Sequence, residues 1–450
     1  MAQFKSKAGV IAATVGSAIG LGTVWRFPAQ TQAGGGAAFL LVYVAVLFIL
    51  GVPLMLGEFS IGRTGRSDAT GVFNKLSPHS GWWLVGLASV LVTFLIMIFY
   101  MVVGGWTLEY FMESINGGLY GGLPEGSHDT FFNERMQEYV IDGYQAMIYA
   151  VVFILINIVV LLRGVRKGIE RISNIMMPLL FVLLLLFCVV ALSMDGAAEG
   201  VAYFLSPDFS KLTMSNCLSA LGQALLSLSL GMGILLTYAG YYPDNVHLTR
   251  TSVTVVSTTL LVAILMGLII FPAVFTFNLT DQSLGGTALI FITLPEIFAS
   301  MPGCHIWSAL FFLLLFMAAL TSTISTGEVM VRFFQDRLHL RRSAAVWLTM
   351  GPMCVLSAVC SLSFGELEWL KICGHVLFDF LDMVTNNYML PLIALGCCLY
   401  VGWFGPKNLM RDQLSNHGTL RTPAATAIIF LVRYICPLAI LTMLLRPSMK

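Results

Sequence analysis

Charge is what this chain has least of. Lysine, arginine, aspartate and glutamate make up 10% of its 450 residues, against about a quarter in an ordinary soluble domain. What charge there is nearly cancels, with 24 basic against 23 acidic side chains, so no long-range field gathers a polyanion such as nucleic acid. The histidines (His79, His128, His247, His305, His339, His375 and His417) are scattered, with no HExxH and no paired spacing. That leaves no convergent metal or acid–base set for a membrane-embedded enzyme. The nine cysteines include no CxxC pair, and most sit inside apolar runs, among them Cys188, Cys354, Cys360, Cys397 and Cys398. They read as small buried hydrophobes rather than a disulfide frame.

Apolar residues are abundant instead, at 58% of the chain. At roughly 20–25 residues per crossing, that supplies about ten to thirteen membrane spans. The runs between charged or Gly/Pro-rich breaks predict eleven helices, at 8–33, 37–62, 81–115, 143–162, 169–194, 214–241, 249–278, 302–335, 343–363, 371–401 and 424–446. Helices are required because a backbone in hydrocarbon must satisfy its hydrogen bonds within the segment. Lys5 and Lys7 before an apolar stretch resemble a signal peptide, but no small-residue cleavage site follows, and the stretch is kept as a first span. The expected fold is an all-α integral membrane protein forming a single domain, 1–450. Two five-helix blocks, 8–194 and 214–401, are followed by an extra helix, 424–446.

Charge orients the spans. Of the 24 lysines and arginines, 17 fall at span ends on the N-terminal side, five on the other (Arg135, Lys211, Lys371, Arg446 and Lys450), and Arg26 and Arg433 inside spans. By the positive-inside rule the N-terminus is cytoplasmic and the C-terminus external, as in a multi-pass protein of the cell membrane. The longest hydrophilic insertion, 116–142, is rich in acids and reads as a compact external lid.

The first and sixth spans each contain a glycine pair in a similar setting: Gly16-Ser17-Ala18-Ile19-Gly20-Leu21-Gly22 and Ser227-Leu228-Ser229-Leu230-Gly231-Met232-Gly233. Each opens a block of five helices, as in an inverted repeat. A helix unwound at the midplane exposes carbonyls that can coordinate a cation and amide ends that can bind a carboxylate. Glycines also let membrane helices pack closely, and the pattern alone leaves both readings open. In the eighth span Ala318, Thr321 and Ser322 share a helix face. Their oxygens suit a hard monovalent cation, although such hydroxyls also back-bond to their own helix.

The stretch 16–28, ending Thr23-Val24-Trp25-Arg26-Phe27-Pro28, with Gly34-Gly35-Gly36-Ala37-Ala38-Phe39, resembles the first-helix signature of the neurotransmitter:sodium symporter family. Pro53-Leu54-Met55-Leu56-Gly57-Glu58, Gly104-Gly105-Trp106-Thr107-Leu108, Gly222-Gln223 with 227–233, and Leu320-Thr321-Ser322 extend the match over helices one to ten. The length resembles the compact bacterial amino-acid transporters of that family. The resemblance implies sodium-driven symport of a small neutral, apolar amino acid by alternating access, with no chemical conversion. Two alternatives on the same fold are proton-coupled transport and a substrate sensor that no longer transports. The expected partners are an amino acid and the bilayer, not nucleic acid, with the chain a monomer or weak homodimer.

By position, the resemblance implies a second sodium site made of the carbonyls of Gly16, Ile19 and Ala318 and the hydroxyls of Thr321 and Ser322. The first sodium site falls on Ala18, Thr23, Ser227 and Thr258. Family members usually carry asparagine at the positions of Thr23 and Thr258, so one Na+ rather than two is expected. Chloride use is not expected: Tyr43, Gln223 and Ser227 match chloride-site positions, but Val262 replaces a hydroxyl or acid. Gly20 stands where monoamine carriers place an aspartate, leaving room for a substrate carboxylate held by the Leu21 and Gly22 amides and the Tyr100 hydroxyl. Carbonyls and the hydroxyl around Ser227 and Ser229 would take the ammonium, and Ala18 is also expected to contact the substrate. Ile96, Leu226, Ser229, Met232 and Thr326 would line the side-chain pocket.

Arg26 lies deep in a span, where a charge costs about 2.5–3.5 kcal/mol on insertion scales, and so needs a partner. Asp379 and Asp382 share a face of the tenth span, and the resemblance favours Asp382 as the external gate, with Gln223 bracing the guanidinium. Asp336 matches an inner-gate acid, with Lys5 or Lys7 in place of the family's arginine. Gly168 and Pro178 enclose nine residues at the start of the fifth span, which the family associates with unwinding during sodium release; an ordinary proline kink is the other reading.

Overall fold

The computed structural model describes residues 3–123, 129–277, 286–420 and 422–445. His128, Arg421, Arg446 and Lys450, used above, lie outside them. Among the described residues nine helices are long and apolar enough to cross a membrane: Ala37–Gly65, Trp83–Asn116, Tyr144–Leu162, Val165–Leu192, Leu248–Thr276, Cys304–Arg337, Arg342–Leu362, Leu377–Phe404 and Ala425–Leu445. A tenth span is the pair Lys7–Ala18 and Leu21–Ala33, bent by 51°. Met214–Ser227 and Ile234–Gly240, individually too short, make the eleventh. No named strand occurs among the described residues, which hold two isolated bridges, Gly36 with Pro207 and Ile372 with His375. The outer faces carry exposed aliphatics such as Val182, Leu185 and Val189, the surface a lipid environment demands.

Lys7–Ala18 rests on the fifth and eighth spans and Leu21–Ala33 on the seventh; Met214–Ser227 rests on the second span and on Leu21–Ala33, with the tenth beside it, and Ile234–Gly240 rests on the second. The third and eighth spans, equivalent members of the two blocks, pack along each other. This packing sets the two broken helices side by side.

Two features depart from expectation. The tenth span starts at Leu377 rather than 371, because the chain first makes a tight turn with positive φ at Cys373 (52°) and Gly374 (82°). A short helix, Ala197–Leu205, also lies between the fifth and sixth spans. It explains the glycine run after the first span. Gly35 (φ +82°) and Gly36 (φ +63°) pass so close to this segment that a β-carbon would stand 2.2 Å from the Asp208 carbonyl oxygen and 2.6 Å from that of Tyr203. The insertion expected as a lid contains the helix Asp129–Asp142.

Candidate substrate and ion site

The first span stops at Ala18. Ile19 (φ −85°, ψ 80°) and Gly20 (φ −105°, ψ 179°) leave helical geometry before the chain rewinds at Leu21. Gly20 is demanded by its neighbours: a β-carbon there would lie 2.7 Å from the Tyr100 hydroxyl and 2.9 Å from the Ser322 hydroxyl. The Leu21 amide donates to the Tyr100 hydroxyl at 2.8 Å, so two of the three groups expected to hold a carboxylate meet at one point. In the sixth span Ser229 (φ +53°), Gly231 (φ +79°) and Gly233 (φ +72°) carry the break through left-handed conformations. The Gly231 amide, freed from its helix, donates to the buried Glu58 carboxylate at 2.8 Å. The Ser229 hydroxyl donates to the Ser17 carbonyl at 2.8 Å, joining one break to the other.

Around these breaks lies a cavity lined by Ala18, Gly20, Gly22, Thr23, Ile96, Tyr100, Leu226, Ser227, Ser229, Met232, Ser322 and Thr326. Nine of the ten residues expected to contact substrate line it; Leu21 does not, and its amide bonds the Tyr100 hydroxyl. Phe99, Val103, Trp25 and Asn386 also line it. The first two continue the helix face of Ile96 and Tyr100 by three and seven residues, a spacing visible in the sequence.

Beside the cavity the expected second-site residues come together. The Ser322 hydroxyl donates to the Gly16 carbonyl at 3.4 Å, and the Thr321 hydroxyl approaches the carbonyls of Met317 (3.0 Å) and Ala318 (3.2 Å). A β-carbon on Gly16 would stand 3.3 Å from that of Thr321. Ile19, fully buried, follows at the break. The first-site residues divide. Ala18, Thr23 and Ser227 line the cavity, and the buried Thr23 hydroxyl has no hydrogen-bond partner. Ser227 pairs with Tyr43 at 2.8 Å. Thr258 does not join them: it is half-exposed, and its hydroxyl donates to the Thr254 carbonyl at 2.7 Å. It flanks the exposed stripe of Val253 and Leu261, whereas Thr259 and Val262 face inward.

Arg26 pairs with Asp382 at the cavity mouth, and Asn386 donates to the same carboxylate at 2.6 Å. Gln223 does not brace Arg26; its amide donates to the Gly22 carbonyl at 3.0 Å, fixing the rewound end of the first span. At the inner end Asp336 accepts from Arg332, one turn back on its own helix, and from the Asp68 amide, both at 2.9 Å. Among the described residues no ion pair joins it to Lys5 or Lys7. Instead the amides of Lys5 (2.9 Å) and Ser6 (3.2 Å) bond the buried Glu170, and Phe4 is buried against Tyr238, Tyr241 and Tyr242. Glu328 binds Arg342 through both oxygens (3.1 and 2.6 Å) and accepts from Tyr241 at 2.9 Å, a static brace.

A model of the sodium:neurotransmitter symporter family matches residues 1–134 and 131–450. The chain is 36% identical to an uncharacterised sodium-dependent transporter, YhdH, of Bacillus subtilis, over 98% of this chain and 97% of the relative. It is 27% identical to the sodium-dependent serotonin transporter of Drosophila melanogaster, over 88% of this chain and 69% of the relative. Among solved structures, MhsT in complex with L-phenylalanine superposes with a TM-score of 0.90 at 38% identity, over 99% of both chains.

Proposed function

The chain belongs to the sodium:neurotransmitter symporter family, and from that premise we propose that it imports a small neutral, apolar amino acid by sodium-coupled alternating access. The observation that carries this reading is the cavity between the two broken helices. At one end stands the Tyr100 hydroxyl, to which the Leu21 amide donates; its flank carries the apolar side chains of Ile96, Leu226 and Met232. A zwitterion fits such a site: the positive end of the half-helix Leu21–Ala33 faces a carboxylate, and free carbonyls of the sixth-span break face an ammonium. Gly20 makes the site selective, because an aspartate there would collide with Tyr100 and Ser322, so the substrate brings its own carboxylate.

Sodium would travel as co-substrate at Gly16, Ile19, Ala318, Thr321 and Ser322. Neutral oxygens in this number offset the dehydration of a monovalent ion. The first site would be silent, since Thr258 is turned away and Thr23 lacks an amide oxygen, giving one sodium per cycle and no chloride. Arg26 with Asp382 would form the external gate, and Asp336 with Arg332 and Asp68 the inner brace.

The test uses purified protein and radiolabelled L-phenylalanine, the ligand of the MhsT structure, competed by each of the other amino acids, in sodium or choline chloride at one pH. Binding that needs sodium, with a Hill coefficient near one and no change when gluconate replaces chloride, supports the proposal. Binding in choline that strengthens with acidity points to proton coupling. Binding without counterflow in proteoliposomes identifies a sensor.

A further inference from the structure

A second cavity lies away from the breaks, between the far end of the third span, the helix Asp129–Asp142 and the start of the fourth span. Its volume of about 560 Å³ falls among those of small-molecule sites. Its wall carries Glu109, Glu113 and Glu138 against one cation, Arg135. Arg135 is committed to Glu113, at 3.4 Å. Glu109 is 4% exposed; one oxygen accepts from Gln145 at 2.6 Å, and the other is buried with no partner. Tyr139, 8% exposed, also lines the cavity, and its hydroxyl is likewise buried without a partner. Two orphaned polar atoms in one cavity violate the rule that buried polar groups are paired.

We propose that this cavity binds an organic cation bearing a primary ammonium. The ammonium has three donors and no acceptor, so it satisfies the free Glu109 oxygen and the Tyr139 hydroxyl together. The tyrosine ring stabilises a nearby cation through its face. Glu138, in no ion pair among the described residues, supplies a second anionic wall. The surplus of carboxylates excludes an anion. A bare metal ion fits poorly, because among the described residues no three acidic, histidine or cysteine side chains converge as ligands. Ligand binding here would clamp the external helix Asp129–Asp142 to the third span, which also carries Ile96 and Tyr100.

Calorimetric titration of the purified transporter with putrescine, up to about 10 mM, tests the site, with L-phenylalanine binding measured in parallel. Glu109→Gln preserves shape and the Gln145 contact, and Tyr139→Phe is the second variant. Saturable putrescine binding, weakened about tenfold or more by either substitution with phenylalanine binding unchanged, is the expected result. Absence of binding, equal binding by Glu109→Gln, or displacement by calcium at lower concentration than putrescine overturns it. Loss of phenylalanine binding by the parent protein would instead count against the transport reading.

Discussion

Replacing Gly20 with alanine adds one methyl at the most crowded point of the site. That methyl would lie 2.7 Å from the Tyr100 hydroxyl and 2.9 Å from the Ser322 hydroxyl, so the first span must retreat by roughly half an ångström to restore normal contact. The retreat strains the bond from the Leu21 amide to Tyr100 at 2.8 Å and moves Ser322 off Gly16. Overpacking costs about 1–3 kcal/mol and the weakened buried hydrogen bond about 1 kcal/mol. A total of about 2–4 kcal/mol corresponds to ~30- to 1000-fold in affinity. The empty site can relax by opening, so the penalty falls on ligand binding more than on folding. One methyl should also weaken phenylalanine and sodium together, since the proposed function assigns Tyr100 to the amino acid and Ser322 to sodium. Scintillation binding at graded sodium, beside a thermal melt, measures both. Gly57→Ala is the control, with its nearest neighbour, Val401, at 3.9 Å. Phenylalanine affinity of Gly20→Ala within about threefold of the parent would refute the reasoning, as would loss of one ligand's affinity without the other's.

Three further outcomes are expected. Gly231→Ala should lower the melting temperature and abolish binding, because residue 231 has φ +79° and its β-carbon would press to 2.8 Å against the Leu390 carbonyl oxygen; Gly222→Ala, facing only the flexible end of Met443 at 3.0 Å, should be tolerated. Asp382→Asn should speed phenylalanine dissociation a few-fold while leaving the fold intact, since the Arg26–Asp382 side chains are 29% and 31% exposed and such a pair contributes about 1 kcal/mol or less. Glu170→Gln should loosen residues 3–9 by about 1–2 kcal/mol, replacing one acceptor arm with a donor facing the Lys5 and Ser6 donors; hydrogen exchange at those amides should accelerate, and an unchanged rate would count against Glu170 as their anchor.

The broken helices were legible because glycine clusters interrupt otherwise strong apolar runs, although that pattern alone also fits close helix packing and the family resemblance decides between the two. Tyr100 was legible too, through resemblance, and Phe99 and Val103 follow from its helix face. Partnerships across helices were less so. Gln223 faces either Arg26 or the Gly22 carbonyl depending on sub-ångström placement of two spans, which no spacing rule encodes. Asp336 had a cation one turn away at Arg332, yet the inner-gate analogy drew attention to the N-terminal lysines, whose amides serve Glu170 instead. Thr258 and Thr259 differ by about 100° of helix rotation; only the exposed stripe through Val253 and Leu261 fixes which one turns inward. The second cavity was hidden because Glu109 and Tyr139 are thirty residues apart, with nothing in their local sequence to join them.

The contact between the Ser229 hydroxyl and the Ser17 carbonyl belongs to both five-helix units at once. Swinging either severed helix would tug on the loose end of the other. On the proposed function, a passenger seated at that junction would feel both movements, and fuel and freight would not need to touch for the passage of one to set the timing of the other.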